Sequence, residues 1–215
     1  MALYLIDGHA IAYRSYYAFI NNPLTNARGE NTSAVYGFLR TILQLTQRYD
    51  PEMLACVFDS EEETGRHREY SEYKAHRKEM PDDLSPQFPV IMRMLGAMGI
   101  PVIVKPGYEA DDIIATLARE AEAEGIDVRI VTGDKDLFQL LSDRVYIIRP
   151  GRGTNLSDVA GPEMVERKYG LRPGQVADLL ALMGDSSDNI PGVKGIGCLL
   201  YTSDAADEED SVDLG

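Results

Sequence analysis

Three short apolar runs each close on an aspartate: Leu3-Tyr4-Leu5-Ile6-Asp7, Met53-Leu54-Ala55-Cys56-Val57-Phe58-Asp59 and Val128-Arg129-Ile130-Val131-Thr132-Gly133-Asp134. Runs this short and this continuously apolar, without the alternation of a half-exposed strand, read as strands buried on both faces. Ile100 to Val104 and Arg144 to Ile148 are two further strand candidates. The intervening segments show helical spacing, as in Val35, Phe38, Leu39, Ile42 and in Ile113, Ile114, Leu117, Ala118, Ala121. Strands alternating with helices predict an α/β fold, a doubly wound and mostly parallel sheet covered on both faces. Ligands of such sheets bind beyond the carboxyl ends of the strands, where Asp7, Asp59 and Asp134 are then expected to converge.

More acids stand at element ends. Glu109-x-Asp111-Asp112 opens a helix, Asp134-x-Asp136 leaves a strand, and Asp185-x-x-Asp188 precedes a Gly-rich turn. Each group alone has an ordinary explanation: acids in a first turn cap a helix and complement its dipole, and aspartates after strands make turns. Taken with the strand-end aspartates, those explanations require several independent coincidences. Crowded carboxylates raise one another's pKa and stay ionised together only when cations occupy the cluster. Oxygen donors without nearby His or Cys favour Mg²⁺, with Mn²⁺ as a substitute, and two such ions can clamp a phosphodiester.

The net charge of −14 argues against a nucleic-acid partner until its distribution is considered. Six acids (Asp204, Asp207, Glu208, Glu209, Asp210, Asp213) fall in the last 18 residues, leaving 21 bases against 29 acids in residues 1–197. Much of that remainder lies in the acidic motifs, where bound metal ions invert the field an anion meets. The two cysteines, Cys56 and Cys198, have neither CxxC spacing nor a nearby His. No run approaches a membrane span and the start, MALYLIDGHA, lacks signal-peptide features, so a cytoplasmic protein with no membrane partner is expected.

Residues 60–86 are polar, mixed in charge and too long for an ordinary connection. Arg66, Arg68, Lys74, Arg77 and Lys78, interleaved with Tyr70 and Tyr73, match single-strand channels, which pair phosphates with cations and stack bases on aromatics. Glu61 to Glu63, Glu69, Glu72 and Glu79 suit a solvated loop equally well.

The motifs LIDGHAIAYRSYYAF, GENTSAVYGF, VFDSEEETGRHREYSEYKAHRKEMPDDL, GYEADDIIATLA, VTGDKDLFQLLSD and LMGDSSDNIPGVKGIG span residues 1–197. In that order they resemble the structure-specific 5′ nucleases, most closely the 5′-to-3′ exonuclease domains at the N-terminus of bacterial DNA polymerase I. The resemblance implies a PIN-like core over 1–160 with a helical arch at 60–86, and a partial helix-hairpin-helix module over 161–197. It implies two Mg²⁺ ions, the first near Asp7, Asp59, Glu109 and Asp111 and the second near Asp112, Asp134, Asp136, Asp185 and Asp188. Asp111 and Asp134, with Lys74 and Arg77 of the YKxHR motif, are the expected catalytic residues. DNA contacts are expected from Arg14, Arg66, Tyr73, Lys74 and Arg77, and from Gly192, Val193, Lys194, Gly195 and Gly197, whose backbone N–H groups would meet duplex phosphates. Arg14 suits a surface salt bridge nearly as well. The implied activity is hydrolysis of DNA at 5′ ends, 5′ flaps and single-strand to duplex junctions, by a monomer that a polymerase domain follows in such relatives. A related metal-dependent ribonuclease and a junction-binding module that has lost catalysis are the alternatives.

After Gly197 the chain departs from that pattern, reading CLLYTSDAADEEDSVDLG. Residues 198–215 have no apolar stripe and no base, so a disordered tail is expected, resembling adapter sequence more than a natural ending. Deleting the chain after Leu200 is expected to leave the melting temperature unchanged and modestly tighten DNA binding at low salt, an effect that fades as salt screens the six negative charges. Fluorescence anisotropy across a salt series checks it.

Overall fold

The structure, a computed structural model, describes residues 1–60, 62–76, 79–151 and 155–196. Arg77, Gly197 and the expected tail lie outside these residues. Six strands, β1 (Ala2–Asp7), β2 (Met53–Val57), β3 (Val102–Ile103), β4 (Asp127–Val131), β5 (Val145–Pro150) and β6 (Leu156–Ala160), form one sheet in the order β3-β2-β1-β4-β5-β6. All neighbours pair in parallel except β5 with β6.

The near-continuous apolar strands serve two layers at once. Leu5, Val57, Val128, Ile130 and Ile147 point to the face covered by α5 (Ala110–Ala123), while Tyr4, Ile6, Cys56, Phe58, Val131 and Ile148 point to α1 (Gly8–Tyr17), α2 (Ser33–Tyr49) and α4 (Gln87–Ala97). Fully burying one large apolar side chain is worth roughly 1.5–3 kcal/mol, so the two-sided patterning strongly disfavours any arrangement that exposes either face. The chain runs outward from β1 through β2 to β3, then crosses by α5 to β4 on the other flank. The expected doubly wound fold is therefore observed, and its reversal point lies between β1 and β4, whose ends are aligned by the pairing of Ile6 with Val131.

Three differences from the sequence reading are local. Past Pro150 the sequence pattern reads as short helices, Pro162 to Tyr169 and Pro173 to Met183, yet β6 is an antiparallel edge strand; a five-residue edge strand carries little pattern. Residues 173–183 split into a 3-10 turn, Pro173–Gln175, and α7 (Val176–Met183). Residues 161–196 also do not form a separate core: Val165, on α6 (Glu163–Tyr169), is 0% exposed and Val176 is 2% exposed, both within the cluster under α5. Within the described residues, no helix is long and apolar enough to cross a membrane.

Helices α1 and α2 cross closely because Gly37 has no side chain. A Cβ there would stand 2.6 Å from Ser15 Cβ and 3.2 Å from its Cα, so backbone would have to move. Gly37→Ala is expected to destabilise the fold by about 1–3 kcal/mol through overpacking, with part of the loss recovered by adding Ser15→Gly. Urea unfolding of the single and double variants tests this.

Candidate active site

The carboxyl ends of the central strands carry the acids the sequence places there. Asp7 ends β1 and caps α1, accepting from Ala10 N at 3.0 Å and from Thr132 Oγ1 at 2.8 Å. Asp59 follows β2 and accepts from Ala110 N at 2.7 Å, which fixes it to the start of α5. Asp134 follows β4; its N–H donates to Thr132 Oγ1 and its carboxylate accepts from Asp136 N. Glu109 caps α5, and its N–H donates to the Asp112 carboxylate. The first-turn acids of α5 thus do serve the helix end, as the ordinary reading allowed, but Asp111 does not. It receives no hydrogen bond among the described residues, and its pKa is pushed up to about 8 by burial first, then by Asp7, Asp134, Asp59 and Glu109.

The acids line two adjoining cavities. One, of about 550 Å³, is bordered by Asp7, Asp59, Glu109, Asp111 and Asp134, together with Lys74, His9, Tyr13 and Tyr17. The other, of about 300 Å³, is bordered by Glu109, Asp111, Asp112, Asp136 and Asp188. Two of the nine acids depart from the expected grouping. Asp134 borders the first cavity, because the turn through Thr132 directs it back toward β1, and Asp185 borders neither. Lys135 lies 3.3 Å from Asp185, and Asp185 also accepts from Ser187 N. Burial opposes ionisation of Asp185, yet these partners hold its pKa low.

Burial likewise lifts Asp7 to about 6, and burial with repulsion from Asp134 and Asp185 lifts Asp136 to about 6. One Asp136 oxygen, Oδ1, is buried without a hydrogen-bond partner. An all-oxygen donor set with mutually raised pKa values and an orphaned buried oxygen has the chemistry of a hard-cation site. No three acids among the described residues have their donor atoms at the spacing of one shared ion, so ligation requires side-chain rotation. Glu109, Asp112 and Asp185 are held apart by ion pairs to cations.

Two of those cations come from the arch. Arg66, on α3 (Gly65–Glu69), forks onto Asp112 at 2.6 and 2.9 Å and reaches Glu109 at 3.1 Å. Burial disfavours the Asp112 anion, but the fork outweighs it and lowers the Asp112 pKa. Lys74 Nζ lies 3.0 Å from Glu109. Its backbone is left-handed, with φ of 57°, a conformation costing a non-glycine residue about 1–2 kcal/mol. Tyr73 is buried rather than presented for stacking; its hydroxyl donates toward Glu109 and Asp188, each at 3.2 Å. Burial raises the Tyr73 pKa first, and the neighbouring carboxylates add to it. At the far end of the arch, Asp83 accepts from Tyr16 and Asn31, each at 2.7 Å, which ties that end to the core.

The other expected DNA contacts are placed differently. Arg14 donates to the Gly151 carbonyl instead of making a salt bridge. Gly192 lets the two-residue strands β7 (Gly184–Asp185) and β8 (Ile190–Pro191) close: a Cβ on it would sit 2.1 Å from the Met183 carbonyl oxygen. The Val193 N–H donates to Leu182 O at 2.7 Å and so is not free for a phosphate, while Lys194 and Gly195 are exposed. Sequence reasoning passed over Thr132 and His9. Thr132 joins Asp7 to Asp134, and His9 Nδ1 accepts the Asp59 N–H at 3.0 Å. Because that lone pair is used, its 3.4 Å approach to the Asp59 carboxylate is not a charged pair. Both stand as polar residues beside apolar strand runs, a signal the sequence does carry.

The raised carboxylates set a pH dependence. Asp111, Asp7 and Asp136 keep protons in the folded state that the unfolded chain has lost above about pH 4, so stability falls as pH rises through their folded pKa values of about 6 to 8. In EDTA, the fold is expected to lose about 1–3 kcal/mol between pH 5 and 8.5, a loss that Asp111→Asn reduces. Urea titrations at several pH values measure it.

Residues 2–170 match the family model of the 5′-3′ exonuclease, N-terminal resolvase-like domain. DNA polymerase I of Deinococcus radiodurans is 47% identical over 195 residues, 91% of this chain and 20% of that protein. The thermostable DNA polymerase I of Thermus aquaticus is 46% identical over 193 residues, 90% of this chain and 22% of that one. The chain thus spans about a fifth of the length of these relatives. Among solved structures, the phage T5 D15 protein co-crystallised with metal ions superposes with a TM-score of 0.69 at 23% identity, covering 100% of this chain and 80% of its own. The catalytic core of Rad2 in complex with DNA substrate gives 0.55 at 21% identity, covering 96% and 60%. These likenesses carry the fold, and the sequence match carries the family: the chain belongs to the 5′-3′ exonucleases, as their N-terminal resolvase-like domain.

Proposed function

We propose that this domain hydrolyses DNA phosphodiesters at 5′ ends and 5′ flaps near a single-strand to duplex junction, using two divalent cations, Mg²⁺ or Mn²⁺. The observation that carries the proposal is Asp111, a largely buried carboxylate among four other acids and without a donor of its own. A cation is the partner such a group lacks. Asp7, Asp59, Glu109, Asp111 and Asp134 would hold the first ion, and Asp112, Asp136 and Asp188 the second, with Asp185 joining them once released from Lys135. When bound, such ions lower the pKa of water and neutralise charge on a scissile phosphate. Relatives by fold support this reading, since the phage T5 D15 protein was crystallised with metal ions and Rad2 with a DNA substrate.

The chain's own residues do the rest. Lys74 borders the cavity of Asp7, Asp59 and Asp134, so its ammonium is positioned to hold a phosphate beside them. Arg66, and Arg77 by sequence alone, are proposed to share that task. Tyr13 and the half-exposed Tyr17, stacked on each other, form a partly apolar wall of this cavity. Lys194, Gly195 and Gly197 are proposed to grip duplex phosphates on the hairpin side. Contacts of this kind read shape and charge, not base sequence.

The test uses end-labelled 5′-flap DNA with Mg²⁺ or EDTA. Cleavage is expected only with Mg²⁺, and Asp111→Asn or Asp134→Asn is expected to lower it by about 10²–10³-fold or more, the equivalent of roughly 3–4 kcal/mol in the barrier. Near-wild-type turnover by both variants at saturating Mg²⁺ would sink the assignment.

A further inference from the structure

The arch does not reach the acids through its cations alone. Four hydrogen bonds join residues 70–74 to the Asp188-Asn189 turn between β7 and β8. Lys74 N donates to Asp188 O at 3.0 Å, Asn189 Nδ2 to Glu72 O at 2.8 Å, Tyr70 Oη to Asn189 O at 3.3 Å, and Tyr73 Oη to the Asp188 carboxylate at 3.2 Å. The two sides lie more than a hundred residues apart in sequence. Lys74 and Asn189 are both left-handed, with φ of 57° and 58°. Asparagine tolerates that conformation far better than lysine does, so Asn189 is the member suited to set the geometry.

We propose that Asn189 is a positioning residue for the nuclease reaction: its left-handed backbone and its amide clasp the arch to the β7–β8 hairpin, which seats Lys74 over Glu109. Two features support the assignment. The amide is a second donor to the Glu72 carbonyl, which also accepts from Ala75 N at 3.1 Å, so it ties the hairpin to the carbonyl that closes the arch turn. The same turn carries Asp188 at its start and leads into Lys194 and Gly195, which the proposed function puts against duplex phosphates. A shift of the hairpin is therefore transmitted to the Lys74 backbone through Asp188 O. The clasp makes seating of the arch and engagement of the duplex one event.

Asn189→Gly removes the amide and keeps the left-handed backbone, whereas Asn189→Ala removes both. Hydrogen exchange of residues 70–76 in the full chain is expected to quicken about tenfold in Asn189→Gly and further in Asn189→Ala, with the melting temperature of Asn189→Gly unchanged. On flap DNA with Mg²⁺, kcat for Asn189→Gly is expected to fall about tenfold with KM within twofold, because the misplaced group acts on the bound substrate. Tyr70→Phe, which removes one bond from the opposite side, is expected to quicken exchange at 70–76 less than either and serves if the Asn189 variants do not fold. Unchanged exchange in Asn189→Gly and Tyr70→Phe would overturn the clasp, and faster exchange with unchanged kcat would overturn the positioning role. The turnover arm rests on the proposed nuclease reading; the exchange arm does not, so failure of one is distinguishable from failure of the other.

Discussion

Repulsion among carboxylates at one end of the sheet is the constraint the rest of the domain answers to. Parallel strands with aligned ends deliver Asp7, Asp59 and Asp134 to the same edge, and α5 adds Glu109, Asp111 and Asp112 from the side. A solvated surface would tolerate this crowding. Here burial is the first cause of the raised pKa values of Asp7, Asp111 and Asp136, and repulsion between the acids adds to it. Such a cluster persists because a sheet edge is rigid: moving one aspartate away would require a register slip that drives every side chain of its strand into the opposite, differently packed core layer.

The answer to that repulsion inside the chain comes from the arch. Arg66 and Lys74 occupy the places next to Glu109 and Asp112 that any other cation would contest. The Arg66 pairs are partly exposed and contribute modestly to stability, whereas the Lys74–Glu109 pair is mostly buried. Their greater effect is on position, since a phosphate drawing Lys74 or Arg66 away leaves Glu109 and Asp112 free for other partners. Within a segment of mixed charge, which by composition resembles a solvated loop, Arg66 and Lys74 are seated on the acids beneath them, which need counter-charge. The left-handed Lys74 backbone is the strained position in that arrangement, supported by its hydrogen bond to Asp188.

Most of the sheet and most of the acidic edge were legible in the sequence for the same physical reason. A strand buried on both faces has a continuous apolar run, and the residue that ends the run is the residue at the sheet edge, so Asp7, Asp59 and Asp134 announce themselves. The first-turn acids of α5 were ambiguous, because capping and ligation ask for the same residue types; the structure divides the roles, with Asp112 serving the cap and Asp111 left without a donor. The grouping of Asp134 and Asp185 was not legible, since it depends on the Thr132 hydroxyl and on a lysine one residue after Asp134. Strand β6 and the clasp at Asn189 were not legible either. The first is too short to carry a period, and the second joins backbone carbonyls, an amide and tyrosine hydroxyls to partners that lie far away in sequence.

The net charge of −14 is a poor guide to what this site attracts. Screening at physiological salt reduces interactions between exposed charges beyond roughly 8 Å, so acids on distant surfaces weigh little at the cavities. The local count decides: nine acids at or near the two cavities face Arg66, Lys74 and Lys135 among the described cations that pair with them. That edge is strongly negative, and an anionic backbone would be repelled from it. Two divalent cations would offset four of those charges, and the raised pKa of Asp111 shows that the fold already disfavours full ionisation without them. At this edge an acidic domain would therefore become receptive to an anion only once its dense acids had gathered cations.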